Sequence, residues 1–595
     1  MKFTPKLLLL FLLFTSSIYA QNGAEPCILL KNDANVIPII NLGNKIASVN
    51  LCRNADVREF NSTLKKYAKI DVFNLTDSED ILQQLGRHDI VIFSIANKEV
   101  NWELLYKINS LLPQAKIIGV SFIKLDNFIY NNYIFNADTL IEYADGEKES
   151  LNNAASLIFG GVGCSGKLNA DIKGHFKKGA GISIKNLIRL NYGKPEDEGL
   201  DASYIHKKVD SIMDTAIREQ AFPGAQLLVA KNNTVIYHKS FGYHTFDNLQ
   251  PVSNDDLYDL ASVTKITGPL PVLMQLVDKG KIDVDEKFST YWKPWSHIKD
   301  KKDLTVREIL AHQAGLEPYY IFLNEILKKG HFKRRYVRTE YSKRFPVKIY
   351  KDLYLNRNFR KKMYRIIGKS KVSDVKKYKY SGMSFLIYPE LIEELTGVPY
   401  ENYVIDSIYK PLGAYNLIFN PSGKYPEKLI VPTELDTIYR KAYVKGWVHD
   451  ENASLLGGVS GNAGLFATAN DLAKLIYMYQ SMGAYGGKRY ISEKTLKEFT
   501  KVQYPENGNK RGLGFDKPLL NNSELDIAHA SPAPEVSPES FGHGGFTGTY
   551  VWADPVNKLL FIFLSNRVYP TRTHRNLYNL NVRPSLQQVF YKASL

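Results

Sequence analysis

The sequence has little cysteine, and beyond its first 20 residues it has no apolar run long enough to cross a bilayer. Its three cysteines, Cys27, Cys52 and Cys164, permit at most one intramolecular disulfide, whose pairing stays open. Cysteine-based metal binding is therefore not expected, and neither is lipid attachment at Cys27, because no small residue precedes it. A spanning helix needs about 20 apolar residues, so no transmembrane span is expected in the mature chain.

The chain begins like an exported protein. Lys2 and Lys6 precede the apolar run 7–14, and small and polar residues follow as far as Ala20. This order is typical of a secretory signal peptide, residues 1–20, because the apolar run is too short for a membrane span. An uncleaved signal anchor is the alternative. The mature protein is expected outside the cytoplasm, and in the periplasm if the cell is a Gram-negative bacterium.

Residues 21–185 alternate β-branched runs with stretches of helical periodicity. Strands interleaved with helices predict a mainly parallel sheet covered on both faces, which is a three-layer α/β sandwich. A ligand of such a domain would bind at the carboxyl ends of the strands. The predicted strands are 46–51, 70–75, 90–95, 116–122 and 139–143, and the predicted helices are 57–67, 103–112 and 147–158.

Three stretches of this region resemble the C-terminal α/β sandwich domain of family 3 glycoside hydrolases. They are residues 28–32 (ILLKN), residues 36–39 (VIPI) and residues 158–168 (IFGGVGCSGKL). That family carries its nucleophilic aspartate in a preceding barrel of about 250 residues, and only the predicted signal peptide precedes the domain here. Two-carboxylate glycosidase chemistry therefore has no evident place. We expect a domain that packs or binds sugar, with residual β-glycosidase or N-acetylglucosaminidase activity as the alternative.

A charged segment with glycine and proline, residues 186–199, is predicted to link this domain to a second one, residues 200–595. The second domain is predicted to open with a helix at 203–219. A β-hairpin is predicted next, because the strand-like runs 225–230 and 234–242 flank a short turn that contains asparagine.

Ser262 and Lys265 form a Ser-x-x-Lys pair after this hairpin. Side chains three residues apart on a helix share one face, so a neutral lysine amine can take the proton of the serine hydroxyl. The spacing alone is weak evidence, because it also begins at serines 62, 121, 296, 373 and 407. Among these, Ser262 alone leads into a strongly apolar helix, predicted over 270–277, whose N-terminus would favour negative charge on the serine oxygen. An ordinary helix N-cap is the alternative role.

Two further stretches accompany this pair. Tyr380 opens the sequence YSGMSF before an apolar run, and residues 541–550 (FGHGGFTGTY) lead into predicted strands at 550–553 and 559–564. In order and spacing, the three stretches resemble the motifs of the serine β-lactamase and penicillin-binding-protein superfamily, especially its class C, D-aminopeptidase and esterase branches. The resemblance covers residues 196–580 and implies an antiparallel sheet flanked by helices plus a mainly helical lobe. The fold class expected is thus α/β and α+β multidomain.

The resemblance also implies roles. Ser262 would be the acylated nucleophile, Lys265 its proton acceptor and Tyr380 the second member of the proton relay. His543 takes the place of the third motif's first residue, and the backbone N–H groups of Ser262 and Phe546 would form the oxyanion hole. The substrate would bind beside three glycines, Gly382, Gly544 and Gly545. Acyl transfer from an ester or amide to Ser262, followed by hydrolysis, requires no metal or other cofactor.

Two departures from the family pattern bear on the substrate. β-Lactamases usually carry lysine where this chain has His543, whose unperturbed pKa of about 6.5 provides no fixed cation for a β-lactam carboxylate. Gly382 stands where an asparagine would grip the acyl side chain. An esterase, a peptidase acting on D-amino acid residues or a transacylase is therefore expected in preference to an efficient β-lactamase. Tyr380 and His543 could instead be ordinary half-buried side chains, and His312 is interpreted as structural.

Positive charge is concentrated in residues 328–379, which hold 20 Lys and Arg against 3 Asp and Glu, a local +17 beside +16 for the whole chain. This basic segment precedes Tyr380 and would border the active-site mouth. It is open to three interpretations: a solvated flexible lid, a surface that steers an anionic envelope component or acidic muropeptide, or a nucleic-acid site, which an exported protein would rarely use.

The sequence favours an exported serine hydrolase that acts on a small-molecule, peptide or ester substrate, for which a peptidoglycan-derived or other anionic envelope component is one candidate. Two alternatives stay open. The first is a catalytically silent penicillin-binding-like protein, and the second is a carbohydrate-binding or carbohydrate-cleaving protein that acts through residues 21–185. The sequence leaves the acyl group, the acceptor and the oligomeric state undetermined.

Overall fold

The computed structural model describes residues 27–74, 81–144 and 148–595. The predicted signal peptide lies outside the described residues, as do the last residue of the predicted strand 70–75 and the first of the predicted helix 147–158. In the described ranges, no helix combines the length and the apolar character that a membrane crossing requires. The three cysteines are free thiols, and Cys164 Sγ donates to the carbonyl of Cys27 at 3.0 Å.

A six-stranded sheet organises the first unit. Its strand order is β1-β6-β5-β4-β2-β3, in which β1 is antiparallel to β6 and every other neighbouring pair is parallel. The strands are β1 Ile28–Asn32, β2 Ile46–Asn50, β3 Ile70–Phe73, β4 Ile90–Ile95, β5 Lys116–Ser121 and β6 Thr139–Glu142. The helices are α1 Arg58–Tyr67, α2 Ile81–Leu85, α3 Trp102–Leu111 and α4 Lys148–Phe159.

The sheet is covered on both faces, as the sequence predicts for a three-layer unit. Every residue of β4 is buried, because a central parallel strand has helices on both sides. Phe60 of α1 and Leu157 of α4 belong to the core on one face, and Leu105 of α3 belongs to the core on the other. The predicted strands and helices are confirmed to within one or two residues, whereas β1 and α2 were not predicted as elements.

The second unit contains the remaining helices. They are α5 Ala202–Arg218, α6 Thr264–Thr267, α7 Pro269–Asp278, α8 Phe288–Tyr291, α9 Val306–Leu310, α10 Leu323–Ile326, α11 Phe359–Lys369, α12 Tyr388–Thr396, α13 Tyr400–Val404, α14 Lys410–Leu412, α15 Glu451–Ser454, α16 Ala469–Gln480, α17 Glu493–Thr500, α18 Asn576–Asn579 and α19 Val582–Tyr591.

Its strands form one large sheet and several short pairs. They are β7 Asn191–Tyr192, β8 Gly224–Lys231, β9 Thr234–Gly242, β10 Tyr258–Asp259, β11 Leu327–Lys328, β12 His331–Phe332, β13 Val337–Arg338, β14 Val347–Tyr350, β15 Leu353–Leu355, β16 Ile418–Phe419, β17 Leu435–Asp436, β18 Ala442–Tyr443, β19 Leu465–Ala467, β20 Ala484–Tyr485, β21 Lys488–Arg489, β22 Phe541–Gly544, β23 Tyr550–Asp554 and β24 Leu559–Ser565.

The large sheet has the order β22-β23-β24-β8-β9-β7 and is antiparallel except at β7. Met213 of α5 and Phe590 of α19 share a buried cluster with Phe561 and Phe563 on one face. Ile476 of α16 belongs to the main core on the other face. Helices therefore cover both faces of this sheet, and the predicted antiparallel sheet flanked by helices is confirmed.

The segment predicted as a linker, residues 186–199, joins the two units closely. Asn191 and Tyr192 form β7 at the edge of the large sheet. The buried guanidinium of Arg189 donates to the carbonyls of Ile39 and Phe159 at 2.9 and 2.7 Å, and to that of Gly486 at 3.4 Å. These hydrogen bonds hold the first unit against the second, so part of the segment 186–199 belongs to the folded core.

The basic segment 328–379 is folded. It contributes one strand of the β11/β12 pair, the three-stranded sheet β13-β15-β14 and the helix α11. Four of its cations form ion pairs with acidic groups outside the segment. The pairs are Arg360 with Glu390, Lys362 with Glu325, Lys376 with Glu308 and Lys379 with Glu317. The segment therefore carries its positive charge on folded strands and a helix.

Candidate active site

Ser262 lies in a 3-10 turn, Ala261–Val263, that runs directly into α6. The sequence predicts that this helix continues into the apolar helix downstream, but the chain breaks at Gly268 before α7. The break has a local cause, since Pro269 has no backbone N–H to donate and a side chain at Gly268 would collide with Tyr400 Oη. Ser262 and Lys265 nevertheless stay within one turn of each other.

Lys265 is 2% exposed, and its ammonium lies at the centre of the site. Its Nζ donates to Ser262 Oγ at 2.9 Å and to the backbone carbonyl of Asn462 at 3.0 Å. The second contact holds the amine in place, which leaves it directed at the serine. Gly382 lines the same space, because a methyl group added there would stand 4.0 Å from Lys265 Nζ.

Tyr380 lies where cations and two histidines converge. Lys265 Nζ is 5.4 Å and Arg511 Cζ is 5.7 Å from the centre of its ring. The ring centres of His312 and His543 are 4.5 and 6.1 Å away. The structure thus brings together Lys265, Tyr380 and His543, which the sequence placed in three distant motifs.

His543 is uncharged in this environment. It is 3% exposed, and burial together with the positive charges of Arg511 and Lys265 lowers its pKa to about 3. Its Nδ1 lies 2.8 Å from the carbonyl of Gly544. A carbonyl only accepts, so Nδ1 carries the proton and Nε2 is left as a hydrogen-bond acceptor. The sequence predicts that His543 is largely neutral, and burial together with the nearby cations explains why.

The turn at 545–549 is tied to the backbone just before Ser262. Thr547 Oγ1 donates to the carbonyl of Asp259 at 2.7 Å, and Thr549 Oγ1 donates to that of Leu260 at 2.9 Å. Gly545 makes this approach possible, because a side chain there would collide with Thr549 and with the Leu260 carbonyl. These contacts bring the backbone of Phe546 to the same side of the site as Ser262, as an oxyanion hole requires.

Arg511 is the residue that sequence reasoning missed. It is 2% exposed, and its Nη2 donates to the carbonyl of Gly514 at 3.1 Å. Asp516 Oδ1 lies 3.4 Å from Arg511 Nη1 and 3.1 Å from Lys510 Nζ, so two cations share one carboxylate. The site therefore holds a fixed positive charge. Arg511 carries it, whereas His543, which stands in the place of the family's lysine, does not. No motif surrounds Arg511. Tertiary contacts of its loop bring it close, since Asn509 donates to the carbonyl of Ala311 and Asp516 pairs with Gly542.

His312 supports the loop that carries Tyr380. Its Nδ1 accepts from the backbone N–H of Ser381 at 3.2 Å, and its carbonyl accepts from that of Lys379 at 3.0 Å. Burial and the nearby cations Arg511 and Lys265 lower its pKa well below the usual value. These contacts agree with the interpretation of His312 as a structural residue, because they position the loop that carries Tyr380.

The buried histidines predict a pH-dependent stability. His543 and His312 are neutral when folded and titrate near 6.5 when unfolded, so their contribution is complete above pH 6.5 and is lost as pH falls towards their lowered values. For His543 the loss between pH 7 and 5 is about 2 kcal/mol. Thermal unfolding should show a lower Tm at pH 5 than at pH 7. The Tm of His312→Asn should depend less on pH than that of the wild-type protein. The exposed control His206→Asn should keep the wild-type slope, and an unchanged slope in His312→Asn would contradict the assignment.

In the observed fold, Ser262 and Lys265 form a hydrogen-bonded pair, the kind of arrangement from which a serine hydrolase can build its nucleophile. Residues 207–582 match the family model described as Beta-lactamase. The chain therefore belongs to the β-lactamase family, and the enzyme is a serine hydrolase of that superfamily.

Two curated relatives are provisionally named D-alanyl-D-alanine carboxypeptidase. The protein from Salmonella gallinarum strain 287/91 is 31% identical over 423 residues, which covers 67% of this chain and 89% of the relative. The protein from Salmonella typhimurium strain LT2 is 30% identical with the same coverage. Among solved structures, the D-amino acid amidase from Ochrobactrum anthropi SV3 is 16% identical with a TM-score of 0.44, covering 64% of this chain and 99% of its own. A likeness of that size carries no information about substrate.

Proposed function

We propose that the protein is an exported hydrolase that releases D-alanine from the carboxyl end of peptides through an acyl-enzyme at Ser262. The observation that carries the proposal is the 2.9 Å hydrogen bond between Lys265 Nζ and Ser262 Oγ. An amine in hydrogen-bond contact with a serine hydroxyl is placed to take its proton. The name of the curated relatives supports the D-alanyl substrate, and the signal-peptide pattern of residues 1–20 supports export.

In the proposed reaction, Ser262 Oγ bonds to the carbonyl carbon of the penultimate residue while Lys265 Nζ takes the hydroxyl proton. The carbonyl oxygen becomes an oxyanion that receives hydrogen bonds from the backbone N–H groups of Ser262 and Phe546. When the C–N bond breaks, Tyr380 relays a proton to the departing amine of D-alanine. Water then attacks the ester, and the proton it loses returns Ser262 to its hydroxyl form.

The charge around Arg511 supports a substrate with a terminal carboxylate. Arg511 and Lys510 outnumber Asp516, and the neutral His543 adds nothing to offset them. Arg511 is nearly inaccessible, so it acts through its field on an anion bound beside Tyr380 and His543, not through direct contact. The carboxyl group of a terminal D-alanine would place such an anion there.

A matched pair of peptides tests the proposal. One ends in D-Ala-D-Ala with a free carboxylate, and the other carries the same sequence with a terminal carboxamide. Release of D-alanine should exceed release of D-alanine amide by about tenfold in kcat/KM, the equivalent of 1.4 kcal/mol. Arg511→Met should abolish the difference while hydrolysis of an uncharged aryl ester continues. Aryl ester hydrolysis with no peptide cleavage would identify an esterase instead, and rapid nitrocefin turnover would contradict the role given to His543.

For the first unit, we infer descent from the C-terminal sandwich domain of family 3 glycoside hydrolases, now used for packing. The glycines of residues 160–166 support the inference. A side chain at Gly160 would press on Leu187, one at Gly163 on the carbonyl of Ile184, and one at Gly166 on that of Cys27. Turnover of an aryl N-acetylglucosaminide by full-length Ser262→Ala protein would overturn it.

A further inference from the structure

A cavity of about 500 Å³ lies between the basic segment and the loops around residues 420 and 447. Its size falls within the range of small-molecule sites, which is about 300 to 1,000 Å³. Val347 and Lys348 of β14 form one wall, and Lys424 and Trp447 contribute to the others. None of its eight lining residues is acidic. The cavity is distinct from the Ser262 centre, and its role is not explained by the acyl-enzyme reaction.

The chemistry of the lining suits a sugar that carries an acid group. Lys348 supplies an ammonium group whose Nζ lies 5.7 Å from the centre of the Trp447 ring, and Lys424 supplies a second one, which Glu401 approaches to 3.8 Å. A carboxylate held by Lys348 would bring its attached ring beside a partly exposed indole, whose flat face packs well against the C–H groups of a pyranose. The side chain of Asn420 and the backbone of Gly423 and Gly457 offer partners for hydroxyl and amide groups.

Two short stretches of chain connect the cavity to the catalytic centre. Gly457 lines the cavity, and five residues later the carbonyl of Asn462 accepts from Lys265 Nζ. Trp447 lines it too, and two residues later His449 donates its backbone N–H to Asp259 at 2.7 Å and stacks on Phe546. A residue spans at most about 3.5 Å of chain, so the Asn462 carbonyl lies within about 18 Å of the cavity. A stem peptide of a few residues covers the same distance.

We propose that this cavity binds the acid-bearing saccharide of a glycopeptide substrate while the D-alanyl end of its peptide occupies the Ser262 centre. This proposal rests on the proposed function for the identity of the peptide, but the saccharide site can be tested by binding alone. The basic segment then has a function of its own. It presents Lys348 to the ligand and contributes to a positive field that attracts an anionic polymer.

The binding test uses two disaccharides that differ by one carboxylate. The first is N-acetylglucosaminyl-N-acetylmuramic acid, and the second is N,N′-diacetylchitobiose, which lacks the lactyl acid. Full-length Ser262→Ala protein would be titrated with each while tryptophan fluorescence is recorded. The acidic disaccharide should change the emission and bind at least tenfold more tightly, and Trp447→Phe should remove most of that change. Equal affinity for the two sugars would overturn the proposal.

Charge-matched variants separate a built site from diffuse attraction. Lys348→Gln with Lys424→Gln should weaken binding of the acidic disaccharide at least tenfold. The control, Lys361→Gln with Lys371→Gln, removes two exposed cations of the same segment that do not line the cavity and should change affinity less than threefold. An equal loss in both variants, or displacement of the sugar by millimolar inorganic phosphate, would overturn the proposal. Unchanged aryl ester hydrolysis in both variants shows that the Ser262 centre is intact, so a failed sugar site and a failed catalytic assignment are distinguishable.

Discussion

Lys265→Met is expected to lower kcat/KM about 1,000-fold for any ester or peptide that the wild-type enzyme cleaves. The lysine is the one buried amine in hydrogen-bond contact with Ser262 Oγ among the described residues, so its loss leaves the hydroxyl without a proton acceptor. Methionine fills a similar volume at this buried position. Steady-state kinetics and a thermal unfolding curve of the same sample would show lost activity with a preserved Tm.

Lys474→Met is the matched control, because Lys474 is also buried but pairs with Asp471 at 2.8 Å, away from the serine. Removing one member of a buried pair leaves the other charge uncompensated, which costs about 3 kcal/mol. This variant should therefore lose stability and keep its kcat. If Lys265→Met retained near wild-type turnover, another group would have to be the base.

Gly545→Ala is expected to reduce kcat by about 100-fold or more, the usual effect of losing an oxyanion-hole donor. The new methyl group would collide with Thr549 Oγ1 and with the Leu260 carbonyl, which are the groups that hold the 545–549 turn against the chain before Ser262. The turn must move outward, and it takes the N–H of Phe546 with it. Burst kinetics on an aryl ester would measure the acylation step directly.

The adjacent Gly544→Ala distinguishes this effect from a general intolerance of the glycine pair. A methyl group at Gly544 would stand 3.4 Å from Arg583 Nη1 and 3.8 Å from the Tyr550 ring, which are contacts that a flexible arginine can accommodate. We therefore expect Gly544→Ala to retain most of the wild-type kcat. Equal losses in the two variants would argue against the turn geometry proposed for the oxyanion hole.

Much of the fold could be predicted because hydrophobic periodicity reports it directly. The β4 strand is apolar except for Ser94, and the hairpin of β8 and β9 has asparagines at its turn, one of them with φ of 54°. The sequence predicts a helix that continues from Ser262 into the apolar run, and this prediction is wrong. The chain breaks at Gly268, because Pro269 cannot donate the backbone hydrogen bond that a continuous helix would need.

The residues of the site also fall into two groups, those that the sequence identifies and those that it does not. Ser262, Lys265, Tyr380 and His543 lie in motifs whose order can be recognised, and the structure places them together. Arg511 has no motif, and it reaches the site through tertiary contacts of its loop, among them the pairing of Asp516 with the β22 strand. Burial and the through-space charges of Arg511 and Lys265, which together lower the pKa of His543 to about 3, cannot be inferred from spacing along the chain.

Intact-mass analysis after treatment with a fluorophosphonate probe tests the nucleophile most directly. The wild-type protein should gain one phosphonyl group, peptide mapping should locate it on Ser262, and Ser262→Ala should gain none. The serines that share the Ser-x-x-Lys spacing, at 62, 121, 296, 373 and 407, provide internal controls and should stay unmodified. Labelling that persists in Ser262→Ala, or that maps to one of these other serines, would contradict the assignment of Ser262 as the catalytic nucleophile.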